Sequence, residues 1–163
     1  MNDQTFDADA FMSANVDAPM ATNLAGVPEG EYTAMVGEFD STAFRTVTTT
    51  NRTTGQTQDR PVLEIPFLIQ DAELKAKLGR EHVSHRETFW LDMTPEGRLD
   101  TGPDKNVRLG QLRNALGQNV AGQPWSPSML RNMGPVKIVI KTTSDKRDPE
   151  KKYTNITRYA KIS

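Results

Sequence analysis

Pro61-Val-Leu-Glu-Ile-Pro-Phe-Leu-Ile-Gln70 alternates cleanly, with Leu63, Ile65, Phe67 and Ile69 on one parity. Successive strand side chains point to opposite faces, so a period of two predicts a strand with one buried face. Pro66 falls on the other parity; lacking an amide proton, it marks an edge or a bulge. Upstream, Glu31 to Phe39 reads as a strand in which Gly37 supplies a bend. The Thr-, Asn- and Gln-rich stretch 41–60 reads as the extended ends of these two strands, joined by a long hairpin loop at Asn51 to Gly55.

Downstream, residues 71–81 form a short helical or looped connection, and His82 to Met93 reads as a third strand. Its two faces differ: Phe89, Leu91 and Met93 on one, Ser84, Arg86, Thr88, Trp90 and Asp92 on the other. Asp104 to Gly117 has helical spacing at Val107, Leu109, Leu112 and Leu116, with Asp104 as cap and Gly117 as stop. A Pro-rich link leads to a fourth strand, Pro135 to Thr142, with Val136, Ile138 and Ile140 inward and Lys137 and Lys141 outward. A polar loop then precedes a fifth strand, Tyr153 to Ile162, where Tyr153, Asn155, Thr157, Tyr159 and Lys161 share a parity. Three strands, a helix and a two-strand hairpin is the order of a five-stranded OB-like Greek-key barrel, mainly β, with its helix between strands 3 and 4. The barrel domain is expected over 31–163. Residues 1–30, acidic and without sustained period, are expected to be a disordered arm.

The charge is sorted along the chain. Met1 to Phe44 holds eight acidic residues and no Lys or Arg, whereas Arg45 to Ser163 holds twenty basic residues against thirteen acidic. A basic body with an acidic arm suits a polyanion binder that carries its own competitor. With no Cys, disulfides and thiolate sites are excluded, and no stretch has the length of a membrane span or the pattern of a secretory signal. His82 and His85 are three apart, on opposite faces of a strand, which suits a metal poorly. No nucleophile elbow, phosphate loop or metalloprotease helix occurs, so neither enzyme chemistry nor a cofactor is expected.

Single-stranded nucleic acid needs cations for phosphates and rings for bases. Arg45, Arg52 and Arg60 come from the first hairpin, and Arg86 with the stacking candidate Trp90 from the third strand. Lys137, Lys141, Lys146, Arg147, Lys151, Lys152 and Arg158 come from the last two strands and their loop, with Tyr153 and Tyr159 as further stacking candidates. Trp125 in the Pro-rich link is a weaker stacking candidate, for which a plug over the helix and barrel is the favoured reading. The competing explanations are plain: Trp90 as a barrel-end or subunit contact, the hairpin lysines as a solvated tip, and the arm as a solvating leader.

Phe6-Asp-Ala-Asp-Ala-Phe11, Val27-Pro-Glu-Gly-Glu-Tyr32, the helix 105–119 and the ending Tyr153-Thr-Asn-Ile-Thr-Arg158 together resemble phage-encoded single-stranded DNA-binding proteins of the OB-fold type. The resemblance implies a protein of the host-cell cytoplasm that coats single-stranded DNA with little sequence preference during viral replication or recombination, without a cofactor. Many such proteins end in an acidic partner-recruiting tail, but this chain ends Arg158-Tyr-Ala-Lys-Ile-Ser163. That role falls to the N-terminal arm, which would weaken DNA binding by folding over the basic groove or present Phe6 and Phe11 to replication or recombination proteins. The alternative is a virion or assembly β-barrel using the arm for subunit contacts; a homo-oligomer fits either.

Overall fold

The Pro61–Gln70 alternation lies within the longest strand of the protein, Thr57–Ile69. The structure, a computed structural model, describes residues 7–20, 26–148, 150 and 152–162. Six strands form one antiparallel sheet: β1 (Gly30–Val36), β2 (Phe44–Thr50), β3 (Thr57–Ile69), β4 (Ser84–Trp90), β5 (Val136–Ser144) and β6 (Lys152–Lys161). Three helices accompany them: α1 (Ala8–Ser13), α2 (Ala72–Leu78) and α3 (Val107–Ala115). Among the described residues no helix is long and apolar enough to cross a membrane.

The sheet is organised by β3. One edge pairs over Val62 to Leu68 with β4. The other edge serves two strands in succession, Thr57 to Leu63 with β2 and Phe67 to Ile69 with β1. The strand expected over 31–39 stops at Val36, and the chain resumes as β2 after a single 3-10 turn at Ser41–Ala43. There are therefore six strands rather than five. Pro66 stands at the changeover: its carbonyl accepts from Gly37 N at 2.8 Å, so its proton-less nitrogen faces the gap between β1 and β2. The proline marks a junction in a central strand, not an edge.

From β1 the sheet continues through β5 to β6. Among the described residues no ladder joins β4 to β6, so the sheet is not closed as the expected barrel would be. A side chain spans the opening instead. Glu87 of β4, 2% exposed, accepts from the backbone N–H of Ile156 in β6. His85 Nε2 lies 3.4 Å from the same oxygen, and the Asn155 amide, oriented with its nitrogen toward the carboxyl, donates to Glu87 Oε1 at 3.2 Å.

The register between β5 and β6 slips at this point: Val139 faces Arg158, whereas Ile140 faces Ile156. Thr157 is the extra residue of a bulge, which reverses parity along β6. Ile156 and Tyr159 consequently both face the core, and the single parity expected from Tyr153 to Lys161 is broken. Tyr159 is 9% exposed, with its ring centroid 5.8 Å from Phe67 and 6.0 Å from Phe89. It is a core residue and not a stacking candidate.

The expected inward faces of β3 and β5 are the core: Leu63, Ile65, Phe67, Ile69, Val136, Ile138 and Ile140 are all buried. Each such side chain contributes roughly 1.5–3 kcal/mol by leaving water. The helix is shorter than its spacing predicts, and Asn106 rather than Asp104 precedes its first turn. Asn106 is held to the end of β4 by reciprocal bonds: its Nδ2 donates to Asp92 O at 2.8 Å, and Asp92 N donates to its Oδ1 at 2.9 Å. That tether fixes the rotation of α3, burying Leu109 and Leu112 while leaving Val107 exposed. Gly117 (φ 73°) closes the helix as expected.

Residues 7–20 are exposed throughout, and core packing begins at Val27. Within the stretch expected to be disordered, α1 forms because Asp7 Oδ1 accepts from the N–H groups of Asp9 and Ala10.

Burial raises the Tyr159 pKa well above its ordinary value, with the charge of Glu87 adding to it. Its hydroxyl has no hydrogen-bond partner among the described residues. Tyr159→Phe should therefore be neutral or stabilising in urea unfolding at pH 7, because no bond is lost with the oxygen. A folded pKa above the unfolded one gives stability that is full below about pH 10 and is lost as pH rises further. The Phe variant should lose less stability than wild type in that alkaline range. A destabilisation above about 1 kcal/mol at pH 7 would show that the hydroxyl is bonded after all.

Candidate nucleic-acid interface

Residues paired across antiparallel strands share a face, so the register shows which side chains meet outside the core. Arg45 of β2 faces Val62 of β3, and Val62 faces Trp90 of β4. One pair along, Val47 faces Arg60; further on, Glu64 faces Thr88 and Pro66 faces Arg86. Arg45, Arg60, Arg86 and Trp90 therefore all lie on the outer face of β2–β3–β4.

Val62 shows how this face is packed. It is 0% exposed yet stands apart from the main core cluster. Arg60, Trp90 and Arg45 surround it, and the Arg60 guanidinium carbon sits 4.9 Å from the Trp90 ring centroid. A guanidinium over an indole is worth about 0.5–1 kcal/mol at an exposed site and holds both groups in place. Trp90 is still 45% exposed. An indole positioned by a cation, with surface to spare, offers a flat partner for a base beside a charge for its phosphate.

Acidic residues temper the charge of this face. Arg45 forms an ion pair with Glu64. Arg86 shares a cleft with Glu38, Asp40 and Glu64. Arg60 has no carboxylate partner among the described residues. Toward its turn the β2–β3 pair becomes exposed, its polar surface carrying Thr49, Gln58 and Arg60, and Arg52 sits in the turn that joins the strands.

The second group of candidates occupies the same outer face at the other end of the sheet. Lys137 and Lys141 of β5 face outward, opposite Ala160 and Asn155; Arg158 and Tyr153 face outward from β6. Lys137 is paired with Glu31 at 2.9 Å. Lys146 and Arg147 are exposed in the β5–β6 loop, whose Asp145 accepts from the Arg147 N–H, and Lys152 lies on the opposite parity from Tyr153. Lys151, like Phe6 of the arm, lies outside the described residues. Strand β1 lies between the two groups along the sheet. The candidates thus fall on two stretches of the outer face, β2–β3–β4 and β5–β6, and Trp90 belongs to the first.

Trp125 packs against the core. Its Nε1–H donates to Gln118 Oε1 at 2.9 Å, and Arg113 stacks on its ring at 4.1 Å. It borders an open recess of about 840 Å³ together with Phe44, Leu99, Arg98, Arg113 and Arg131. These residues come from five separate segments, so no local pattern in the chain announces the recess. His82 is exposed outside β4 while His85 contacts Glu87, and no cluster of metal-ligating side chains occurs among the described residues.

No protein-family model, curated protein or solved structure matches the chain.

The two tryptophans should be distinguishable by quenching. In Trp125→Phe, the remaining Trp90 should emit to the red and be quenched readily by acrylamide. In Trp90→Phe, the half-buried Trp125 should emit further to the blue and resist quenching. The reverse order would contradict the assignment of the exposed indole.

Proposed function

We propose that the protein binds single-stranded DNA with little sequence preference through the outer face of β2–β3–β4, coating the strand during viral DNA replication or recombination. One observation carries the proposal: Trp90 stays half exposed while Arg60 lies over its ring, with Arg45 and Arg86 on the same face. Stacking is indifferent to base identity because every base has a π-face, and cations beside the ring meet the backbone. Binding, not catalysis, is the activity assigned.

The strand order supports the same reading. If β1 and β2 are taken as one interrupted strand, the order β4–β3–β1/β2–β5–β6, with α3 between β4 and β5, fits an OB-like barrel left open between β4 and β6. In that arrangement β3 and β4 are the OB strands 2 and 3, whose face binds oligonucleotides. The β2–β3 turn with Arg52 and the β5–β6 loop with Lys146 and Arg147 correspond to the two flanking loops. The resemblance to phage-encoded single-stranded DNA-binding proteins supplies the biological setting.

Titration of tryptophan fluorescence with dT oligomers at two salt concentrations tests the proposal. Trp90→Ala should weaken binding by roughly 1–3 kcal/mol, and Arg60→Ala should lower the salt slope by about one unit. Glu64→Gln should tighten binding, up to roughly fivefold, because it frees Arg45 from an exposed ion pair worth about 0.2–1 kcal/mol. Trp125→Phe should bind as wild type does. No quenching and no mobility shift at low salt would defeat the proposal.

A further inference from the structure

The recess bordered by Trp125 lies off the proposed DNA face. Phe44, Leu99 and Trp125 supply apolar walls, and Arg98, Arg113 and Arg131 supply cations. None of the three arginines forms an ion pair among the described residues. Arg113 Nε is buried without a hydrogen-bond partner among them, and burial lowers the pKa of that guanidinium. Asp40 is the acid in the lining, and Arg131 acts on it only weakly compared with the Thr42 hydrogen bonds. Such a lining combines apolar side chains with three arginines and a single acid. It suits an acidic segment bearing apolar side chains.

This chain carries such a segment. Residues 1–20 contain Asp3, Asp7, Asp9 and Asp17 with no Lys or Arg. Phe11, Met12, Val16 and Met20 are all more than 60% exposed, and α1 buries no residue at all. Residues 7–20 are exposed throughout, and none of them lines the recess of its own chain.

We propose that the recess binds the acidic, apolar N-terminal arm of a second copy of this chain, linking molecules head to tail. Donor and acceptor are different surfaces, so the contact is heterologous and can repeat along an open row. It requires no DNA, and its failure would leave the proposed DNA face untouched.

Sedimentation velocity of the full chain without DNA tests this. Wild type should form species larger than a dimer as concentration rises, and added salt should reduce them. An arm variant (Asp7→Asn, Asp9→Asn, Phe11→Ser) and a recess variant (Arg98→Glu, Arg131→Glu) should each sediment as the 18.2 kDa monomer. Phe44→Ser, at a half-exposed position, provides a second recess variant. Mixing arm and recess variants should restore one intact contact and yield a 1:1 dimer that grows no further. A monomeric wild type at all concentrations, an arm variant that assembles like wild type, or a mixture that stays monomeric would each overturn the proposal.

Discussion

The Glu87 carboxyl, 2% exposed, receives the backbone N–H of Ile156 across the opening between β4 and β6. Much of the architecture depends on that contact. A buried carboxyl is tolerated only where hydrogen bonds replace the water it has lost, and Ile156 and Asn155 supply them. It sets β6 against β4 where no ladder does. Just beyond it the Thr157 bulge reverses parity, sending Tyr159 inward to Phe67 and Phe89 and leaving Arg158 outward. The bond and the bulge lie side by side in β6, where Tyr159 turns to the core and Arg158 to the surface.

The two faces of β3 divide stability from recognition. Its inward residues hold the core, whereas its outward residues include Arg60, Val62 and Glu64. Val62 is as thoroughly buried as any core residue, and its register neighbours on that face are Arg45 and Trp90. Packing on that side pre-positions the groups that could meet a nucleic acid, so ordering them costs little when a ligand arrives. Glu64 works in the opposite direction, occupying Arg45 and offsetting charge on the same face.

Much of this was legible in the residues. Alternation in Leu63 to Ile69 and in Val136 to Ile140 identified two core strands, because both are central and buried on a single face. The hairpin loop near Asn51 to Gly55 also stands where its composition suggested, and Arg86 and Trp90 share the outward parity read for them. What parity could not reveal were features set by distant partners. The bulge in β6 adjoins Ile156, whose N–H partner Glu87 is sixty-nine residues away in sequence. The break between β1 and β2 depends on Pro66 lying opposite it, and the helix start depends on Asp92 capturing Asn106. The recess escaped notice for the same reason, its walls being assembled from scattered segments.

The division of charge along the chain has a structural counterpart. The basic half supplies an outer face with an exposed indole and, apart from it, a recess ringed by arginines; the acidic half supplies an exposed segment with apolar side chains. DNA binding at the outer face can be followed by mapping backbone amide and indole N–H chemical shifts while a short dT oligomer is added. The largest changes should fall on Trp90, Arg60, Arg45 and the β2–β3 turn, with smaller ones toward Lys141 and Arg158. Changes confined to the recess around Trp125, or none at saturating oligomer, would rule out binding at that face.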